Sequence, residues 1–165
     1  MDTTATGIGR ITDALNPALL IVTAALHGER SGCLVGFHSQ CSIVPVRYAV
    51  WISRLNHTFA IASRADHLGL HFLDESDHDL AAIFGGRTGD VDDKFAKVDW
   101  TDDEHAVPIL TRCKSVIVSR RTSTVDDGGD HVCIVCDPIT VESAAFRPLR
   151  LLDVDDVTPG HPATS

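Results

Sequence analysis

The sequence predicts a small antiparallel β-barrel, mainly β with a few short helices. Short apolar runs rich in β-branched residues recur along the chain, each bounded by Gly, Pro, Asn, Asp or Ser. Helical periodicity is confined to brief stretches, and nothing resembles the regular β-α-β alternation that builds a parallel sheet. At 165 residues, 44% hydrophobic and 22% charged, the chain has the size and composition of one domain with its own core.

The elements follow in order. Residues 1–14 are polar and rich in Thr and Gly, which predicts an N-terminal arm or a frayed short helix. Leu19–Leu26 and Cys33–Phe37 are apolar, and the Gly28–Gly32 stretch between them is turn chemistry, so the three form a hairpin. His38–Pro45 reads as a loop, and Tyr48–Ser53 as a strand with Tyr48, Val50 and Ile52 on one face. Asn56-His-Thr58 has the residues that begin a helical turn.

Leu68, Leu70 and Phe72 alternate with His67, Gly69 and His71, a period of two that predicts a strand. Ser76 suits an N-cap, with Asp77 and Asp79 in the first turn and Leu80, Ile83 and Phe84 as the apolar face of a short helix ended by Gly85-Gly86. Val91–Thr101 is mixed, with a short helix around Asp93–Ala96. Two long strands, Cys113–Val125 and His131–Val141, are joined by Asp126–Asp130, whose Asp and Gly residues tolerate the positive φ of a tight hairpin. The folded domain is therefore expected over residues 15–152. Residues 153–165, acidic and then Pro- and Gly-containing, are expected to form a flexible tail too polar to bury enough surface to order itself.

Charge excludes some functions. With 14 Lys and Arg against 23 Asp and Glu, the formal charge is −9, which disfavours nucleic acid or an anionic membrane as a partner. No run approaches the roughly 20 apolar residues that cross a bilayer, and no apolar stretch near Met1 resembles a signal peptide, so a cytoplasmic location is expected.

Five cysteines without a secretory signal are read as free thiols. Cys133 and Cys136 spell C-x-x-C, but in a strand they point to opposite faces about 10 Å apart, beyond disulfide reach. His67 and His71, on the predicted strand, lie about 13 Å apart, too far to share a metal ion, and no metal site is expected. There is no P-loop, no G-x-G-x-x-G between strand and helix, no G-x-S-x-G and no H-E-x-x-H.

Two stretches carry binding chemistry. Ser39–Pro45 offers hydroxyls, an amide and main-chain groups without a charged side chain, a composition able to hold a polar heterocycle through the backbone. Ser53–Thr58 collects hydroxyls, an amide and a cation before a helical turn. Those are the ingredients of a phosphate site, with Arg54 or Lys94 as the charge, and equally those of an ordinary capped polar turn.

Gly32–Pro45, Ala49–Ser53, Asn56-His-Thr58, Leu68–Leu73, Lys94-Phe95, Pro108–Leu110 and Gly129-Asp-His131 occur in the order found in flavin reductase-like, FMN-binding split-barrel proteins, which this chain resembles over Asn16 to Thr140. Gly129-Asp-His131 is the sharpest element. The resemblance implies a Greek-key split β-barrel, a homodimer, and FMN near the subunit interface, with FAD or riboflavin as other flavins.

It also implies roles. Leu34, Val35, Gly36 and Phe37 fall where the family has a Thr-Ala-Ser-Ser-like stretch around the ring and ribityl chain; here the hydroxyls are replaced and main-chain contacts remain. Ser39 and Ser42 match later serines of the family. Ser53, Arg54, Asn56, His57 and Thr58 fall at the phosphate, and Lys94 and Phe95 match a Lys-Phe pair close to the cofactor. His131 matches the histidine beside flavin and nicotinamide, which makes it the catalytic candidate. The implied activity is NAD(P)H-dependent flavin reduction, in which NADH or NADPH gives a hydride to the flavin and reduced flavin passes to a monooxygenase partner or another acceptor. A carrier or sensor that binds flavin without turnover, and a split-barrel reductase using deazaflavin or haem, are the alternatives.

Overall fold

A computed structural model describes residues 3–86 and 93–160. Strands β1 (Leu20–Leu26), β2 (Glu29–Val35), β3 (His38–Ile43), β4 (Val46–Ser53), β5 (His67–Phe72), β8 (Ser115–Val125) and β9 (His131–Glu142) form one antiparallel sheet in the order β2-β1-β5-β8-β9-β4-β3. A small ribbon pairs β6 (Trp100–Asp102) with β7 (Pro108–Leu110). The helices are α1 (Thr3–Leu15), α2 (His57–Ala62) and α3 (His78–Gly85), with 3-10 turns at Glu75–Asp77, Lys94–Lys97 and Leu151–Val154. This is the expected split barrel, in which the sheet curls without its two edge strands pairing.

Alternation along the strands sorts side chains into two cores. Leu20, Val22 and Ala24 of β1 join Cys33, Val35, Val50, Ile52, Leu68, Leu70, Ile134 and Cys136 inside the curl, capped by Ile61 and Ala62 of α2. Leu19 and Ile21 face the other way, onto Leu80, Ala81 and Phe84 of α3, with Phe95, Leu110, Val116 and Leu149. Burial on both faces explains why β1 reads as an unbroken apolar run. At Gly32 an added Cβ would lie 2.8 Å from Cε1 of Phe84, so α3 packs directly on the β2 backbone.

Two buried polar side chains, through three hydrogen bonds, tie the ribbon and β5 to β1. Thr23 Oγ1 donates to Pro108 O at 2.6 Å. His71 Nδ1 donates to Ile21 O at 3.2 Å, and its Nε2 accepts from Leu110 N at 3.1 Å. Complete burial lowers the His71 pKa to about 4.

Several expectations are corrected. His38–Ile43 is a strand, not a loop, and the tight turn is Val44-Pro45. As an edge strand paired with β4 alone, β3 has Ser39, Gln40 and Cys41 exposed in sequence, so it shows no period-two signal. The first hairpin turns at His27-Gly28, where φ is positive at both residues, and Glu29–Gly32 belongs to β2. The N-cap ahead of α3 is Asp74, which bonds Ser76 N and lies in a reciprocal capping box with Asp77.

The start of the chain, expected as an arm or a frayed short helix, is helical from Thr3 to Leu15 with no buried residue; Met1 and Asp2 lie outside the described residues, as do Val91 and Asp92 of the mixed segment. Nor does packing stop at Leu152: Val154 is buried in the α3 core, and Gly160 N donates to Gly85 O at 3.0 Å. Residues 161–165 lie outside the described residues.

The predicted strand over His131–Val141 places Cys133 and Cys136 on opposite faces of β9, and all five cysteines are free thiols. His67, separated from buried His71, stacks instead on His105 with centroids 4.3 Å apart.

Candidate flavin site

Gly36-Phe37 links the two edge strands, β2 and β3, and Trp51 N donates to Phe37 O at 2.9 Å, which extends the β3–β4 ladder. A cavity of about 410 Å³ opens beside that bond, within the usual range for a small-molecule site. One wall is the end of β2 and its continuation, Cys33 to Phe37. The opposite wall is Trp51, Ile52 and Ser53 of β4, with Asn56 and His131. Leu19, Pro17, Thr12 of α1, and Leu151, Val154 and Pro159 complete it.

Of the residues singled out from the sequence, Leu34, Val35, Gly36, Phe37, Ser53, Asn56 and His131 line this cavity. Strand register puts Ser53 directly opposite His131 across the β4–β9 pair. His131 Nδ1 donates to Asp130 Oδ1 at 2.8 Å, and the ring packs edge-on against Phe37 with centroids 5.1 Å apart. That bond holds the Asp130 carboxyl below its ordinary pKa. Asn56 caps α2, its Oδ1 accepting from Thr58 N at 3.0 Å, so the side-chain NH₂ is the part left to donate elsewhere.

The structure does not bring the other candidates to the cavity. Arg54 is paired with Asp126 and donates from Nε to Gly129 O at 2.8 Å. His57 bonds Glu29 at 2.7 Å. Thr58 is buried, with its hydroxyl 2.8 Å from that of Ser31. Ser39 donates to Gln40 O and Ser42 to Pro45 O, both on the exposed β3 hairpin. Lys94 is buried and donates from Nζ to Gly32 O and Phe84 O, both at 3.0 Å; Phe95 packs between Phe84 and Trp100. Lys94 therefore fastens β2 to α3, and Phe95 packs α3 against β6.

Sequence reasoning passed over Thr12, Pro17, Leu19, Cys33, Trp51, Ile52, Leu151, Val154 and Pro159. Trp51 and Ile52 were within reach, because they sit in the predicted strand that ends at Ser53. The three C-terminal residues carry no motif, and only tertiary packing brings them here. Burial pushes the Cys33 thiol up to about 11 against the opposing influence of Lys94 and Thr58, so it lines the cavity as a neutral group and not as a nucleophile.

A wide apolar slot with Ser53, Asn56 and His131 gathered on one wall can take a flat heterocycle and orient its polar edge.

Known proteins share this fold. The chain superposes on flavin reductase HpaC complexed with NADP+ with a TM-score of 0.75 at 21% identity, covering 90% of this chain and 95% of that one. Nitrilotriacetate monooxygenase component B from Mycobacterium thermoresistibile gives a TM-score of 0.75 at 20% identity, covering 90% and 84%. A longer Sinorhizobium meliloti chain also matches, with a TM-score of 0.75 at 21% identity over 86% of this chain, and this chain spans 49% of its length. No curated protein matches the sequence. The family model for the flavin reductase like domain matches residues 13–155, and the chain belongs to that family.

Proposed function

We propose that this chain is an NAD(P)H-dependent flavin reductase whose flavin ring lies in the cavity between β2 and β4. The observation that carries the reading is the convergence of Leu34–Phe37, Ser53, Asn56 and His131 on one cavity, from segments far apart in sequence.

The residues present fit a flavin ring. Leu34, Trp51 and Ile52 provide apolar surface for its faces, and the Asn56 amide, the Ser53 hydroxyl and the main chain of residues 34–37 suit its polar edge. When bound, a flavin supplies the hydride-accepting chemistry. The protein's part is orientation and exclusion of water. Leu19, Leu151 and Val154 close the apolar side of the slot. His131, held by Asp130, lines the side where a nicotinamide would approach, by packing or by a bond from its second nitrogen. No general base is needed, which agrees with a cavity whose thiol is neutral.

By analogy with the monooxygenase component that shares its fold, reduced flavin is handed to a partner monooxygenase. FMN is the family's usual flavin, and a homodimer is the expected assembly.

The test is the visible spectrum of the purified protein with flavin, before and after anaerobic NADH or NADPH. Bleaching near about 450 nm, the flavin's own band, at a rate above that of free flavin is expected. Binding without bleaching would leave a carrier or sensor.

A further inference from the structure

We infer that this site selects flavin without a phosphate: riboflavin binds more tightly than FMN. The inference rests on the flavin reading above and concerns the charge around the same cavity.

Among the described residues, the lining contains no Lys or Arg. His131 is the one lining side chain able to carry positive charge, and its Nδ1 is already taken by the Asp130 carboxylate. The guanidinium of Arg54, which follows Ser53 in sequence, is paired with Asp126 and bonded to Gly129 O.

The β8–β9 connection that carries His131 has Asp126, Asp127 and Asp130, three carboxylates against that one guanidinium. All three are held by hydrogen bonds within the connection that leads into His131. Asp126 accepts from Gly128 N at 2.9 Å, Asp127 from Gly129 N at 2.9 Å, and Asp130 from His131.

A phosphate dianion brought to this edge meets net negative charge, and the two cationic side chains there, Arg54 and His131, are already engaged by Asp126 and Asp130. An uncharged ribityl chain meets the Ser53 hydroxyl and the Asn56 amide, both suited to its own hydroxyls. Helix α2 has only six residues, and its Thr58 N–H is already capped by Asn56, so it adds little for an anion.

The experiment is a titration of the intact protein with riboflavin, FMN and lumiflavin, followed by quenching of flavin fluorescence. It is run at about pH 8, where an ordinary imidazole is neutral. At about 0.01 M ionic strength charges interact over about 30 Å, and at about 1 M over about 3 Å. Riboflavin is expected to bind at least about threefold more tightly than FMN at low salt, with the gap closing at high salt. Asp126→Asn and Asp127→Asn, at exposed positions outside the cavity, should each tighten FMN by about two- to fivefold and leave riboflavin unchanged. FMN binding as tightly as riboflavin at low salt, or tighter, overturns the inference. If none of the three ligands binds, the flavin reading itself fails.

Discussion

Asp130 accepts a hydrogen bond from Nδ1 of His131 at 2.8 Å, and the two residues open the strand whose first side chain lines the cavity. The bond fixes the imidazole through a neighbour in sequence, so its plane is set before any ligand arrives. His131→Ala should therefore slow anaerobic flavin bleaching by about tenfold, a loss of roughly 1.4 kcal/mol at the barrier. Flavin affinity should change less than about twofold, because in the proposed placement the ring's main apolar contacts come from Leu34, Trp51 and Ile52, which line the cavity. Stopped-flow absorbance separates the two effects, and an unchanged rate would remove His131 from the reaction.

Gly32 of β2 lies directly against the ring of Phe84 on α3. A methyl group at position 32 would sit 2.8 Å from Cε1 and 3.1 Å from Cδ1 of a ring that is itself fully buried. Gly32→Ala is expected to destabilise the protein by about 1–3 kcal/mol through overpacking. Phe84→Leu makes room, so the double variant should lose less than the sum of the two single ones. Urea denaturation of all four proteins tests this, and strict additivity would mean that α3 moves away without strain.

The sequence made some of this legible, and the reasons differ by element. β5 and the β8–β9 hairpin were readable because alternation and an Asp-Gly connection report their own local structure. β3 was not, since a polar edge strand has no buried face to impose a period. In the site, His131 and Asn56 sit at element boundaries, where turn and cap chemistry is visible in the sequence. Lys94 and Arg54 carried the right charge for a phosphate, but their carbonyl and carboxylate partners come from distant segments. Those partners become visible only once the chain has folded. Leu151, Val154 and Pro159 were invisible for the same reason, and the tail's polarity pointed away from them.

His71 makes stability depend on pH. Its ring is neutral in the fold, with a pKa of about 4 set first by burial, against an ordinary value of 6.5. Because the folded value is depressed, the unfolded chain binds the proton more readily, and stability present above about pH 6.5 is lost as pH falls towards 4. The full shift corresponds to about 3 kcal/mol. His71→Gln keeps a donor and an acceptor near Ile21 O and Leu110 N without a titrating group. Unfolding free energy measured by urea between about pH 7 and 4.5 should fall more steeply for the native sequence than for the variant. Parallel curves would show that His71 does not titrate in this window.

Asn56 belongs to both the fold and the site, and two substitutions separate those roles. Its carbonyl oxygen caps α2 through Thr58 N at 3.0 Å while the residue lines the cavity. Asn56→Ala removes the cap and should cost about 1 kcal/mol of stability, along with some flavin affinity. Asn56→Asp retains a capping oxygen, so stability should stay within a few tenths of a kcal/mol of the native value. It also exchanges an amide donor for a carboxylate at the cavity wall, where a flavin's polar edge or ribityl chain would lose its partner. Flavin affinity should therefore drop by roughly tenfold in the Asp variant while thermal unfolding barely moves. If affinity followed stability through both variants, Asn56 would be acting only as a cap, and the polar wall of the site would have to be sought at Ser53 and the main chain of residues 34–37.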